Sequence, residues 1–97
     1  MELLPRDLAD RLPPIHSQSE LGDSAIAQVK FFTPWTYWTW YVSEYDPEDR
    51  VCFGVVIGHV RELGYFSLGE LEAVRGPAGL RIERDLYWTT RPLQECR

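Results

Sequence analysis

The chain has 97 residues, and its ten basic and fifteen acidic side chains leave a formal net charge of −5. This length suits one globular domain and excludes a multidomain enzyme, and the acidic balance argues against broad electrostatic binding of nucleic acid. We expect a single domain over residues 1–97. Within it, residues 1–24 form an N-terminal helix and loop, 25–88 a core of sheet and helix, and 89–97 a tail.

The lack of a recognisable targeting signal or apolar spanning segment predicts a cytoplasmic protein. The N-terminal residues MELLPRDLADRLPP lack the basic start, apolar core and small-residue cleavage site of a secretory signal. The longest apolar runs, such as residues 55–57, fall far short of the roughly 20 residues of a spanning helix. Cys52 and Cys96 are predicted to be free thiols, one buried and one exposed, because neither has metal-ligand spacing around it.

The N-terminal segment predicts a short helix. Leu4, Leu8 and Leu12 recur every four residues and would share one face of an amphipathic helix over residues 3–12. The prolines at 13 and 14 must end it. The polar residues 15–24 then predict a loop.

Two segments with a period of two follow, and both predict β-strands. Residues 26–32 place Ala27, Val29 and Phe31 on one face. Residues 36–45 are aromatic or β-branched almost throughout, which is the strongest strand signal in the chain. Strict alternation divides this second strand between two faces. One face takes Trp38, Trp40, Val42 and Glu44, and the other takes Tyr37, Thr39, Tyr41, Ser43 and Tyr45.

A hairpin turn is predicted at Asp46–Asp49, since Pro47 presets φ and the aspartates can bond their own backbone. The return strand covers residues 51–57. Strict alternation directs its odd-numbered side chains to the core: Val51, Phe53, Val55 and Ile57. Gly54 within it predicts a bulge or the close approach of another backbone.

The C-terminal half predicts a strand over 62–66, a helix and a closing strand over 80–88. Ser67 with Glu70 three residues later is a capping box that starts the helix, whose buried stripe is predicted to be Leu68, Leu71 and Val74. The tail is predicted to be irregular. The order of elements indicates an α+β fold, an antiparallel sheet of about four to five strands with an N-terminal helix and a second short helix packed on it.

Several blocks of this sequence resemble an uncharacterised bacterial family, the domain of unknown function 2958. The blocks are KFFTP at 30–34, WTWYV at 38–42 with Glu44, Phe53-Gly54, ELGYFSL at 62–68 with Glu70-Leu71, and IERDL at 82–86. The resemblance covers roughly residues 25–88, and the N-terminal leucines fit it too. It implies a small protein encoded on plasmids, integrative elements or phage-derived DNA. It implies no catalytic residue and no activity.

The densest acidic cluster lies at the predicted hairpin turn and comprises Glu44, Asp46, Glu48 and Asp49. Three interpretations are open: a solvated hairpin tip, an acidic patch that faces a partner, and a metal site. The metal site is disfavoured, because a calcium loop needs a glycine for its sharp turn and none stands between 44 and 49. We predict no metal and no cofactor.

Tyr37, Tyr41 and Tyr45 form a second candidate, a tyrosine row on one face of the strand. Helices that cover this face would make the row part of the core. If it is exposed, tyrosine is a favoured anchor at protein interfaces, and aromatic rings also stack on unpaired bases. The acidic turn beside the row favours a protein partner over nucleic acid.

Alternating charges near the C-terminus predict cross-strand ion pairs rather than catalytic carboxylates. The candidates are Arg84, Glu83, Asp85 and Glu62. Arg84 shares the register of Ile82 and Leu86, so we expect it to be partly buried against a carboxylate. A Cys52–His59 catalytic pair is disfavoured, since odd spacing on a strand points the two side chains to opposite faces.

The sequence therefore favours a non-enzymatic accessory protein of a mobile element that acts by binding another protein. A first alternative is a nucleic-acid mimic that inhibits a defence nuclease or a CRISPR-type effector through the acidic turn. A second alternative is single-stranded nucleic-acid binding through the tyrosine row. The oligomeric state is left open.

Overall fold

The computed structural model describes all residues from Met1 to Arg97. The seven strands are β1 (Ile26–Ala27), β2 (Val29–Phe32), β3 (Thr39–Asp46), β4 (Val51–Ile57), β5 (Arg61–Ser67), β6 (Glu83–Arg84) and β7 (Arg91–Pro92). The two α-helices are α1 (Arg6–Ala9) and α2 (Leu68–Ala73). Short 3₁₀ helices occupy Ser19–Ser24, Pro77–Gly79 and Leu93–Glu95.

Five strands form one antiparallel sheet in the order β5-β4-β3-β2-β6, and β1 pairs with β7 in a separate two-stranded ribbon. The predicted α+β class and antiparallel sheet are therefore confirmed. The chain runs from β2 to β5 through adjacent strands and then crosses with α2 to the opposite edge, where β6 pairs with β2. The two edges differ, because β5 has seven residues and β6 has two.

Both faces of the central strands are covered by other parts of the chain. On one face Val42 and Cys52 pack with Leu3 and with Leu68 of α2. On the other face Tyr41 and Val55 pack with residues from β1, from the position just before it and from the C-terminus: Ala25, Ala27, Leu93 and Cys96. Alternation in β4 predicted a single core face, and this prediction is wrong because segments from both ends of the chain cover the sheet.

A β-bulge in β3 changes which side chains share a face. Val42 pairs with Gly54, but Glu44 pairs with Phe53, so Ser43 is the extra residue. A bulge of this kind shifts the alternation by one position. Tyr45 consequently joins Val42 in the first core cluster, although strict alternation placed these two residues on opposite faces.

The predicted hairpin turn, the start of α2 and the close approach at Gly54 are confirmed. Asp46 Oδ1 accepts a hydrogen bond from the backbone N–H of Glu48 at 3.0 Å, which closes the turn. Ser67 Oγ accepts from the backbone N–H of Glu70 at 3.1 Å, as a helix N-cap does. A Cβ at Gly54 would overlap the carbonyl oxygen of Tyr41, so the predicted close approach is present.

The N-terminal helix is shorter than predicted. Residues 3–12 were predicted to be helical, but only Arg6–Ala9 are, because Pro5 stands at the N-cap and fixes the start. Leu12 is buried as predicted, whereas Leu8 is only partly buried. Leu3, which lies in a bend before the helix, is buried against the sheet.

The C-terminal part differs most from the sequence prediction. Of the strand predicted over 80–88, only Glu83–Arg84 pair with β2. The chain turns away directly afterwards, because the Asp85 side chain accepts a hydrogen bond from the backbone N–H of Tyr87 at 2.9 Å. Val74, predicted to be buried, is exposed at the end of α2. The predicted irregular tail instead supplies β7 and two buried side chains, Leu93 and Cys96. The prediction of an exposed Cys96 is therefore wrong.

Candidate functional site

The tyrosine row predicted from alternation does not form a surface. Tyr37 precedes β3 and is exposed. Tyr41 is 5% exposed and packs against Trp88 on one face of the sheet, whereas Tyr45 is 5% exposed on the other face. The bulge and the covering segments separate the three rings. A surface on which nucleic-acid bases stack along this row is thus absent.

The acidic cluster is divided in the same way. Glu48 and Asp49 are exposed at the hairpin tip, and Asp46 is partly buried at its base. Glu44 is 3% exposed and lies inside the protein. The exposed acidic patch is therefore smaller than the four predicted residues, and Glu44 belongs to a different environment.

The predicted ion pairs are mostly replaced by other contacts. Asp85 pairs with Lys30, with the Lys30 Nζ 3.9 Å from a carboxylate oxygen. Arg84 contacts no carboxylate, and its Nη1 donates to the backbone oxygens of Glu2 at 2.8 Å and Leu3 at 3.0 Å. The prediction of a carboxylate partner is wrong because the N-terminal segment lies over β6. Glu83 and Glu62 form no salt bridge.

The carboxylate of Glu44 is held by the loop before the first 3₁₀ helix. Its Oε1 accepts from the backbone N–H of His16 at 2.9 Å, and its Oε2 accepts from that of Gln18 at 2.7 Å. His16 adopts a positive φ of 72°, which is uncommon for a residue with a Cβ. The bulge at Ser43 turns Glu44 toward this loop, so two local irregularities meet at one carboxylate.

A small cavity of about 130 Å³ opens beside Glu44. Its walls come from the loop, the bulge and the two strands at the nearest sheet edge, and they include His16, Ser43, Phe53, Leu63 and Tyr65. The rings of Phe53 and Tyr65 pack edge to face with centroids 4.8 Å apart. Tyr65 Oη lies 3.5 Å from His16 Nδ1 at the rim.

This cavity presents a carboxylate and aromatic rings, and no basic side chain forms a salt bridge with Glu44. Such a wall accepts hydrogen bonds and attracts positive charge. No group of three His, Cys, Asp or Glu side chains gathers into a metal-binding set. The proximity of His16, Gln18 and Tyr65 to Glu44 was not predicted, because no local sequence pattern signals a contact across more than twenty residues.

The two cysteines lie in apolar surroundings away from this cavity. Burial raises the pKa of the Cys52 thiol to about 12, and burial also raises the pKa of Cys96. A thiol with so high a pKa is a poor nucleophile at neutral pH. The rings of His59 and Trp38 pack edge to face with centroids 5.8 Å apart.

The edge strand β5 lies next to the cavity. It pairs only with β4, so its outer side carries unpaired backbone groups. Leu63 is 47% exposed and Tyr65 56% exposed, and both also line the cavity. A long edge with exposed apolar side chains is the sheet feature that most readily pairs with another strand.

Comparison with known proteins identifies the family of the chain but assigns no function to it. The family model described as Protein of unknown function (DUF2958) matches residues 3–95, so the chain belongs to that family. No curated protein matches it significantly. No solved structure does either. Neither helix has the length and apolar character needed to cross a bilayer.

Proposed function

We propose that this protein acts by binding another protein, whose extended segment adds a strand to the outer edge of β5. The observation that carries the proposal is the contrast between the two edges of the sheet. β6 is two residues long, but β5 is seven residues long and has no strand on its outer side. Strand addition of this kind gives affinity through main-chain hydrogen bonds and specificity through alternate side chains.

The hydrogen-bonding pattern identifies which backbone groups are available. The backbone N–H of Leu68 donates to the carbonyl of Arg50 at 3.0 Å, which fixes the phase of the β4–β5 ladder. Along an antiparallel pair, bonded and non-bonded positions alternate. Glu62, Gly64 and Phe66 therefore bond to β4. The outward N–H and C=O groups belong to Arg61, Leu63, Tyr65 and Ser67, of which Leu63 and Tyr65 lie in the middle of the strand.

The net charge of the chain and the charged side chains at the edge of β5 favour one kind of partner. The chain carries a net charge of −5, which opposes pairing of two copies of itself and favours a basic segment. At the edge, Arg61 donates to the carbonyls of Leu93 and Cys96 and contacts Asp23, so its charge is engaged within the chain. Glu62 beside it has no ionic partner. The occupant we propose is thus a basic, extended segment of a different protein.

The proposal includes the biological context that the family resemblance implies. We propose that the chain is a cytoplasmic accessory protein of a mobile genetic element and catalyses no reaction itself. Its partner is then a protein of that element or of its host. Deletion of the gene should change the transfer or maintenance frequency of the element, and an unchanged frequency would contradict this setting.

Selection of peptides from a random display library against the full chain tests strand addition. We expect selected peptides to be basic, with alternating side chains. Leu63→Pro should reduce their affinity at least about tenfold, because proline removes the outward N–H without breaking a bond to β4. Leu63→Ala is the matched variant, since it shortens the same side chain but keeps that N–H.

The comparison of these two variants decides the outcome. Binding that weakens much more for Leu63→Pro than for Leu63→Ala supports pairing through the main chain. Equal effects of the two variants, or no selected peptides at all, overturn the proposal. A dimer of the chain by sedimentation that Leu63→Pro dissolves would assign the edge to a second copy instead.

A further inference from the structure

We infer that the cavity beside Glu44 receives an arginine guanidinium group from the segment that pairs with β5. This inference rests on the proposed function and names the side chain that the bound segment must carry. It starts from a buried carboxylate for which the chain itself supplies no cation.

The Glu44 carboxylate can accept more hydrogen bonds than the protein donates to it. Each oxygen of Glu44 accepts one backbone N–H, from His16 and Gln18 respectively. A carboxylate oxygen has two acceptor positions, so one on each oxygen is unused by the protein. Arginine presents two parallel N–H groups at the matching spacing, which lysine does not.

The other walls of the cavity suit the same group. Phe53 and Tyr65 provide aromatic rings, and Leu63 provides an apolar wall for the methylene stem. A guanidinium group stacks favourably on aromatic faces. The cavity of about 130 Å³ holds more than a single water, whose share of liquid volume is about 30 Å³.

The position of the cavity connects it to the strand edge. Leu63 and Tyr65 carry the outward backbone groups of β5 and also line the cavity. A residue that pairs with either of them places its side chain on the same face of the sheet. One basic side chain of an added strand therefore lies beside the cavity mouth.

Titration with a small probe tests the cavity separately from strand addition. The probe is N-acetyl-arginine methylamide, and its neutral counterpart is the same derivative of citrulline, which has nearly the same shape. Amide NMR shifts of His16, Ser43 and Tyr65 in the full chain report binding. We expect saturable shifts with the arginine probe and about tenfold weaker binding of the citrulline probe, since the contact to Glu44 is charge-assisted.

Variants locate the site. Glu44→Gln should weaken the arginine probe about tenfold, whereas Glu20→Gln, which removes a nearby exposed carboxylate outside the cavity, should leave it unchanged. Tyr65→Leu removes an exposed ring and should weaken binding several-fold even if Glu44→Gln folds poorly. Equal binding of the two probes, or equal effects of Glu20→Gln and Glu44→Gln, overturns the inference. If that happens while Leu63→Pro still weakens peptide binding much more than Leu63→Ala does, only the arginine pocket is wrong.

Discussion

Glu44 and His16, twenty-eight residues apart, are joined by a hydrogen bond of 2.9 Å from the backbone N–H of His16 to Glu44 Oε1. With the second bond from Gln18, this carboxylate fastens the loop before the first 3₁₀ helix to the centre of the sheet. The positive φ of His16 is maintained by that attachment. One buried side chain thus shapes a loop and forms a wall of the cavity at the sheet edge.

Glu44→Ala should lower the free energy of unfolding by roughly 2–5 kcal/mol, because it leaves two part-buried backbone N–H groups without an acceptor. Glu44→Gln keeps one carbonyl oxygen and should cost less. Urea denaturation of both variants measures the effect, with the exposed Glu20→Ala as the control. A loss for Glu44→Ala no larger than the control's would mean that the loop is held by other contacts.

Gly54 and Gly64 are partners across the β4–β5 ladder and give a matched pair of substitutions. Gly54→Ala should destabilise the protein by about 3 kcal/mol or more, since the new Cβ overlaps a backbone oxygen that cannot move aside. Gly64→Ala meets no atom within 4 Å and should stabilise the strand by about 0.5–1 kcal/mol. Thermal unfolding of both variants measures the difference. Similar values for the two would contradict the close approach of β3 and β4 at this point.

Local sequence patterns predicted the parts of the fold that local chemistry determines. The turn closed by Asp46, the helix start at Ser67 and the close approach at Gly54 depend on residues within a few positions or on glycine itself. The pairing of β6 with β2 depends instead on contacts over fifty residues apart. The alternating pattern of residues 80–88 does not indicate how few of these residues pair with another strand.

The candidate site was harder to predict than the fold. Alternation assigns side chains to the correct face of a sheet only where the strand pairing is regular. The extra residue at Ser43 reversed the faces predicted for Glu44 and Tyr45. Glycine often signals a bulge, but here the bulge lies on the strand opposite Gly54. The sequence therefore indicated an irregularity between β3 and β4, but it did not indicate which of the two strands carries the bulge.

Arg84 should stabilise the attachment of the N-terminal segment. Arg84→Met keeps much of the apolar stem but removes the bonds to the carbonyls of Glu2 and Leu3, and it should cost about 1–3 kcal/mol. Amide exchange of residues 3–12 should accelerate in the variant. Arg6→Met, at an exposed position without such bonds, is the control. Unchanged exchange in Arg84→Met would show that the buried leucines alone hold the segment.

Stability should fall at alkaline pH because the Cys52 thiol resists ionisation in the folded protein. Burial raises its pKa from an ordinary 9.0 to about 12, so only the unfolded chain loses this proton between those values. The free energy of unfolding should be unaffected by this group below pH 9 and should fall by about 1.4 kcal/mol per pH unit toward pH 12. Burial raises the pKa of Tyr41 and Cys96 as well, so they act in the same direction.

Cys52→Ala isolates the contribution of this thiol. The variant is expected to be less stable at neutral pH, because a buried sulfur is lost, but its stability should fall less steeply above pH 9. Urea denaturation between pH 8 and pH 11 compares the two slopes. Parallel slopes would show that Cys52 does not remain protonated in the folded chain.

Amide hydrogen exchange along β5, with and without a library-selected peptide, tests the proposed strand addition most directly. In the free protein the amides of Glu62, Gly64 and Phe66 should be protected by β4, and those of Leu63 and Tyr65 should exchange quickly. With the peptide bound, Leu63 and Tyr65 should slow by at least about tenfold. Fast exchange at both positions in the complex, with protection elsewhere, would contradict binding at this edge.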